Sequence, residues 1–197
     1  MEKFTDRQIE IIEAATARID RHGIQNLTIK NLAADIGLSE PALYRHFKSK
    51  NDILLGLLNY FMIEMKVRIG RLSELGCATA GVELKAIFNS QFQTFIDKPA
   101  VISVIFAESI FHFDRSLSNK VIEIMDLMHQ YIKANIEKGQ KAGQYSKLID
   151  VNTLTTIIIG GVRLTILRWK ISGHKSNLMK DVKAVLEGIL KIIETNK

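Results

Sequence analysis

The sequence is poor in the residues that break helices, cross-link chains or bind metals. Only two prolines occur in 197 residues, Pro41 and Pro99, and no segment alternates apolar and polar residues as a half-buried strand requires. No β-sheet is expected. The single cysteine, Cys77, cannot form an intramolecular disulfide, and it leaves too few thiols for a zinc finger. The five histidines, His22, His46, His112, His129 and His174, have no helical i, i+4 partner and no grouped carboxylates, so neither a metal nor another cofactor is expected. No basic stretch followed by an apolar run is seen at the start, and a signal peptide is not expected. The most apolar run, 157–171, is interrupted by Arg163, Arg168 and Lys170 and is read as too short for a bilayer, which points to the cytoplasm.

Enzymatic patterns are equally sparse. Ser172-Gly173-His174-Lys175 fits Ser-x-x-Lys, but that pattern is common by chance and falls in an interhelical loop. Asn26-Leu27-Thr28 has the form of a glycosylation sequon and is better explained as a helix cap. The chain is not expected to be an enzyme.

What is present is helical periodicity. A hydrophobic content of 47% suffices for a buried core, and the long periodic segments make the class all-α. The net charge of +6 suits a nucleic-acid partner, yet its distribution is uneven. Residues 27–50 carry Lys30, Arg45, Lys48 and Lys50 against Asp35 and Glu40, whereas 163–197 holds eight basic and three acidic side chains. Placement of charge, rather than bulk basicity, therefore carries any case for DNA.

Residues 27–54 read as two short helices joined by a tight turn, followed by the start of a third. Thr28 is a good N-cap, with Leu27 and Leu32 at the staple positions. Ser39 repeats the device with Leu38 and Leu43, and Pro41 falls in the first turn, where its missing N–H costs least. Gly37 is placed to take the left-handed conformation that ends a helix, and Ser49 with Asp52 approaches a capping box. Upstream, Thr5 with Gln8 forms a capping box, Phe4 and Ile9 a staple, and Gly23 a stop. The first helix is thus predicted from about Thr5 to His22, with Ile9, Ile12, Thr16 and Ile19 packing on Leu32, Ile36 and Leu43.

These residues, together with Leu43-Tyr44-Arg45-His46-Phe47, Ser49-Lys50 and Ile53-Leu54, resemble the DNA-binding domain of the tetracycline-repressor (TetR/AcrR) family. The resemblance covers about the first quarter of the chain; beyond Leu58 it is only architectural. It implies an N-terminal three-helix helix-turn-helix head, residues 1–50, and a C-terminal helical dimerisation and ligand-binding body, residues 51–197. It also implies that Ser39, Glu40, Pro41, Ala42 and Arg45 lie near base edges. Arg45 has the fork to read guanine, and Ala42 offers a methyl group to thymine. Lys30, Tyr44, His46, Lys50 and the Thr28 hydroxyl are expected on phosphates. Glu40 departs from the more usual uncharged residue; it either accepts from cytosine N4 or repels phosphate.

In the body, helices are predicted at 49–75, 80–96, 99–109, 116–142, 150–172 and 176–195. The last two carry apolar stripes, Leu154, Ile157, Gly161 and Leu164 in one and Val182, Leu186 and Ile189 in the other, and these are the expected homodimer surface. Gly160 and Gly161 mark either close approach across that interface or packing within one subunit. Phe88, Phe92 and Phe95 share a helix face, which is either ordinary core or part of an effector pocket. Phe88, Phe92, Phe106 and Phe111, with Glu108, His112, His129 and Arg163, are the candidate ligand-binding set. The expected function is a ligand-responsive transcriptional regulator, a homodimeric repressor released from a pseudopalindromic double-stranded operator by an apolar or amphiphilic small molecule. The alternative is a DNA-bound adaptor whose body recruits a protein.

Overall fold

The computed structural model describes residues 4–74, 76–106 and 114–195. Among them are nine α-helices and no strand: α1 (Asp6–His22), α2 (Ile29–Asp35), α3 (Glu40–Tyr44), α4 (Lys50–Glu74), α5 (Ala80–Asp97), α6 (Pro99–Ile105), α7 (Arg115–Lys141), α8 (Val151–Ile171) and α9 (Leu178–Ile193). A 3-10 turn at Ile24–Asn26, which periodicity did not foretell, separates α1 from α2. The chain divides into two units, 1–65 with 94–123, and 66–93 with 124–197.

Local chemistry sets most helix ends. Thr5 caps α1 in a reciprocal box with Gln8, and Gly23 ends it at φ +77°, where its N–H donates 2.8 Å to the Ile19 carbonyl. Asp150 caps α8 by accepting 3.0 Å bonds from the N–H groups of Asn152 and Thr153, and the Thr153 side chain together with these N–H groups lowers its carboxyl from the ordinary pKa. Ser49 caps α4, accepting from Asp52 N–H at 3.1 Å. Such caps each contribute about 1 kcal/mol.

The first unit buries Ile11, Ile12, Ala15 and Ile19 of α1 with Leu27, Leu32, Leu43 and Phe47. This corrects the predicted face, since Ile9 and Thr16 are only half-buried and Ile11 and Ala15 supply the contact in their place. Thr16 turns its hydroxyl back onto the Ile12 carbonyl at 2.8 Å. Phe95, expected beside Phe88 and Phe92, belongs to this unit and stacks on Phe61 at 6.0 Å. Lys98 forms an ion pair with Glu64 at 3.0 Å and lies 5.6 Å from the centre of the Tyr60 ring.

In the second unit Tyr145 is a buried hub. Its hydroxyl donates to Asn135 Oδ1 at 3.4 Å, Asn135 Nδ2 donates to the Ala80 carbonyl at 3.0 Å, and Ala80 N–H donates to Gln144 Oε1 at 2.8 Å. Burial pushes the Tyr145 hydroxyl well above its ordinary pKa. Gly139 of α7 makes room for the ring, because a Cβ there would fall among the atoms of Tyr145. Backbone bonds from Ser146 to Ile193 (2.7 Å) and from Thr195 to Gln144 (3.0 Å) tie the end of α9 to the same place.

By length and composition α8 suffices to cross a membrane, which corrects the expectation drawn from 157–171: the helix begins at Val151. Leu154, Ile158, Val162, Ile166 and Trp169 are buried within the chain. Arg163, Arg168 and Lys170 stand on the same helix.

Candidate nucleic-acid interface

The helix-turn-helix is built from two N-caps and one glycine. Thr28 Oγ1 accepts from Asn31 N–H at 3.1 Å, and Ser39 Oγ accepts from Ala42 N–H at 3.3 Å. Between them Gly37 sits at φ +65°, and the Leu38 N–H returns to the Ala33 carbonyl at 2.9 Å. A side chain at that φ would be strained, so glycine sets the turn. Leu43 is completely buried, and its burial turns the other side of α3 outward.

Ser39, Glu40, Pro41, Tyr44 and Arg45 are exposed and Ala42 is half-buried. Thr28 and Lys30 are exposed at the amino end of α2, and His46 is half-buried just after α3. The expected DNA-facing residues therefore gather around one short helix and one helix amino terminus. Together they present a guanidinium fork, hydroxyls, an ammonium and outward amides, which are the donors that base edges and phosphates accept.

Lys50 is placed differently from the rest. Its Nζ donates to the Ile24 carbonyl at 2.9 Å, and partial burial lowers the ammonium from its ordinary pKa. It therefore pins the start of α4 to the 3-10 turn. Arg18, which sequence reading missed, acts in the same region: its Nη1 lies 2.5 Å from Asp35 Oδ2 and its Nε donates to the Asn26 carbonyl at 3.0 Å. Both bonds span many residues, so no local pattern could reveal them.

In the second unit Phe88 and Phe92 are buried and stack on each other, with ring centres 5.8 Å apart and planes at 9°. His129 is half-buried, as is Arg163, whose Nη1 lies 3.4 Å from Met125 Sδ. Phe106 caps α6 in the first unit. Glu108, Phe111 and His112 lie outside the described residues, as do the predicted end of the 99–109 helix and Leu75.

The expected dimer set needs correction. Leu154, Val182 and Leu186 are buried within the single chain, and Gly161 packs against Val185 and Ile189 of α9. Leu154, Val182 and Leu186 are therefore not available to a second copy. Ile189 is half-buried. Ile157 and Leu164 do remain outside, at 47% and 57% exposure, and Ile171 and Ile192 are each 76% exposed. Both helices are apolar on two sides, and periodicity alone does not say which side meets the chain's own core.

Comparison with known proteins decides the family. Residues 11–57 match the model for bacterial regulatory proteins of the tetR family, and 58–192 match the model for the C-terminal region of YsiA-like proteins. The chain belongs to the TetR family. It is a DNA-binding transcriptional regulator of that family. Over 189 residues it is 23% identical to the fatty acid metabolism regulator protein of Bacillus subtilis, covering 95% of each chain. It is 39% identical over 71 residues, 36% of each chain, to the nucleoid occlusion factor SlmA of Photobacterium profundum. The fold resembles that of the transcriptional regulator FadR from Bacillus subtilis in complex with stearoyl-CoA, with a TM-score of 0.77 and 23% identity over 92% of this chain and 97% of that one.

The placement of Lys50 in this TetR-family head generates a test. Lys50→Ala removes the bond to Ile24 and should lower the stability of the protein by about 1 kcal/mol, whereas Lys30→Ala on the surface should change it by less than about 0.5 kcal/mol. Chemical denaturation checks this, and equal midpoints for the two variants would contradict a structural task for Lys50.

Proposed function

We propose that the chain acts in the cytoplasm as a homodimeric repressor on a pseudopalindromic operator, and that a long-chain acyl amphiphile of the acyl-thioester class releases it. The observation that carries the effector class is the similarity to the fatty acid metabolism regulator. The match to the fatty acid metabolism regulator runs over 95% of both chains, body included. Nucleoid occlusion factors match at 39% identity over 36% of the chain and at 21% over 88% of it, so an adaptor whose body recruits a protein stands as the second reading. The stacked Phe88–Phe92 pair supplies apolar material in the second unit suited to an acyl chain.

Arg45 is the proposed base reader, with Ser39, Glu40, Pro41 and Ala42 beside it, while Thr28, Lys30, Tyr44 and His46 hold phosphates. Lys50 joins them with whatever donor capacity its bond to Ile24 leaves. Two heads are needed to read two half-sites about 34 to 36 Å apart. The surface proposed to join the subunits is the outer stripe of α8, Ile157, Gly160, Leu164 and Ile171, with Gly188 and Ile192 of α9. A Cβ placed on Gly160 or Gly188 would meet no atom within 4 Å, so a second backbone can approach there. The effector must prefer the conformer that mismatches the operator, since equal affinity for both conformers would shift nothing.

Two experiments check this reading. Selection from a random duplex pool should enrich inverted half-sites, and Arg45→Ala should cost about 1 to 3 kcal/mol at particular base pairs while leaving phosphate-driven binding in place. Failure to enrich any sequence, or unchanged base preference in Arg45→Ala, would count against it. Leu164→Arg buries a charge in the proposed interface and should yield monomers in light scattering, with each head still folded. An undisturbed dimer would place the interface elsewhere.

A further inference from the structure

The positive charge of the C-terminal third is unexplained by DNA reading, and two of its lysines line a groove. Between α5 and α9 lies a concavity of about 520 Å³, within the range of about 300 to 1,000 Å³ usual for ligand sites. Lys85 and Asn89 of α5 form one wall; Asn177, Lys180, Lys183 and Glu187 form the other. Three ammonium groups thus face one carboxylate. The Lys183–Glu187 pair is long, at 3.9 Å, and Lys183 is 70% exposed. Among the described residues Lys85 and Lys180 make no ion pair.

Lys180 and Lys183 are exposed and Lys85 is half-buried, and like charges gathered along one groove repel one another, a repulsion that a bound polyanion relieves. The amino end of α9 adds to the positive potential, because its dipole is aligned the same way. The inner side of α5 has the opposite character. Lys85 and Asn89 are each followed three residues later by Phe88 and Phe92, the buried stacked pair. One helix turn therefore separates cationic and amide groups at the groove from aromatic material inside, which is the arrangement that an amphiphile with an anionic head requires.

We propose that this groove receives the phosphate-bearing head of the effector, an inference that rests on the acyl-thioester reading above. The phosphates would lie against Lys85, Lys180 and Lys183, with the two asparagine side chains hydrogen-bonding the head's polar edges. Selectivity for a thioester over a free fatty acid would then reside in the groove rather than in the apolar interior.

The test uses full-length protein in calorimetric titrations with stearoyl-CoA, stearate and CoA. Wild type should bind stearoyl-CoA more tightly than stearate. The triple variant Lys85→Gln, Lys180→Gln, Lys183→Gln should lose stearoyl-CoA affinity on the order of tenfold or more, with a weaker salt dependence. Its stearate affinity, melting temperature and operator binding should stay as in wild type. Lys175→Gln with Lys191→Gln, surface lysines of the same region that do not line the groove, should behave as wild type. Full stearoyl-CoA affinity in the triple variant, or equal wild-type affinity for stearate and stearoyl-CoA, would overturn the groove while leaving an acyl effector intact. CoA bound by wild type and lost in the triple variant, with no binding of stearoyl-CoA or stearate, would keep the groove and overturn the acyl effector. Binding of none of the three would overturn both.

Discussion

Burial of Leu43 is the constraint on which the DNA-reading end of the molecule depends. The helix that carries it, α3, has five residues, far fewer than an isolated helix needs to persist in water. It forms because Ser39 caps it, Pro41 fits its first turn, and Leu43 is removed from water together with Phe47, Leu32 and Ile12. Burying a leucine contributes about 1.5 to 3 kcal/mol, comparable to everything else that favours so short a helix. The same burial turns Arg45 and Tyr44 outward. Packing and the exposure of the groups proposed to read bases therefore share one cause, and a looser core would blur their positions.

The second unit faces a different constraint. Its helices α8 and α9 are apolar on two sides, and only one side of each can pack on the other. Leu154, Val182 and Leu186 are consumed inside the chain, leaving Ile157, Leu164, Ile171 and Ile192 on the outside. Apolar side chains left exposed in a row on adjacent helices favour association, and a regulator that reads two half-sites requires it. Lysines along the other edge of α9 border the groove assigned to a phosphate-bearing head. On the proposed reading, a single helix divides its circumference among core, partner and ligand.

What could be read from the residues alone was what short-range chemistry decides. Thr5, Thr28, Ser39 and Ser49 act on amides three residues away, and Gly23 and Gly37 act through their own φ, so caps, stops and the turn were legible and are found where expected. The family resemblance of the first quarter of the chain was legible for the same reason. Interactions across long sequence separations were not. The Lys50–Ile24 bond, the Arg18–Asp35 pair and the Tyr145–Asn135–Ala80 chain join residues whose proximity only the fold creates. The α8 stripe shows a third case: both of its sides satisfy helical periodicity, and the choice between them is made by α9, not by α8. The roles proposed for individual DNA-facing and ligand-facing residues rest on their placement and chemistry.

Regulation ties the two ends of the molecule together through free energy. If an acyl thioester prefers the conformer whose heads mismatch the operator, linkage requires that operator DNA weaken thioester binding by the same factor by which the thioester weakens DNA binding. Factors of roughly 5 to 150 are typical of such coupling. The most direct measurement is a titration of stearoyl-CoA into the free protein and into its complex with a selected operator duplex. The expected result is a larger dissociation constant on the complex, matched by an equal loss of operator affinity when the protein is saturated with stearoyl-CoA; the same dissociation constant with and without operator would contradict it.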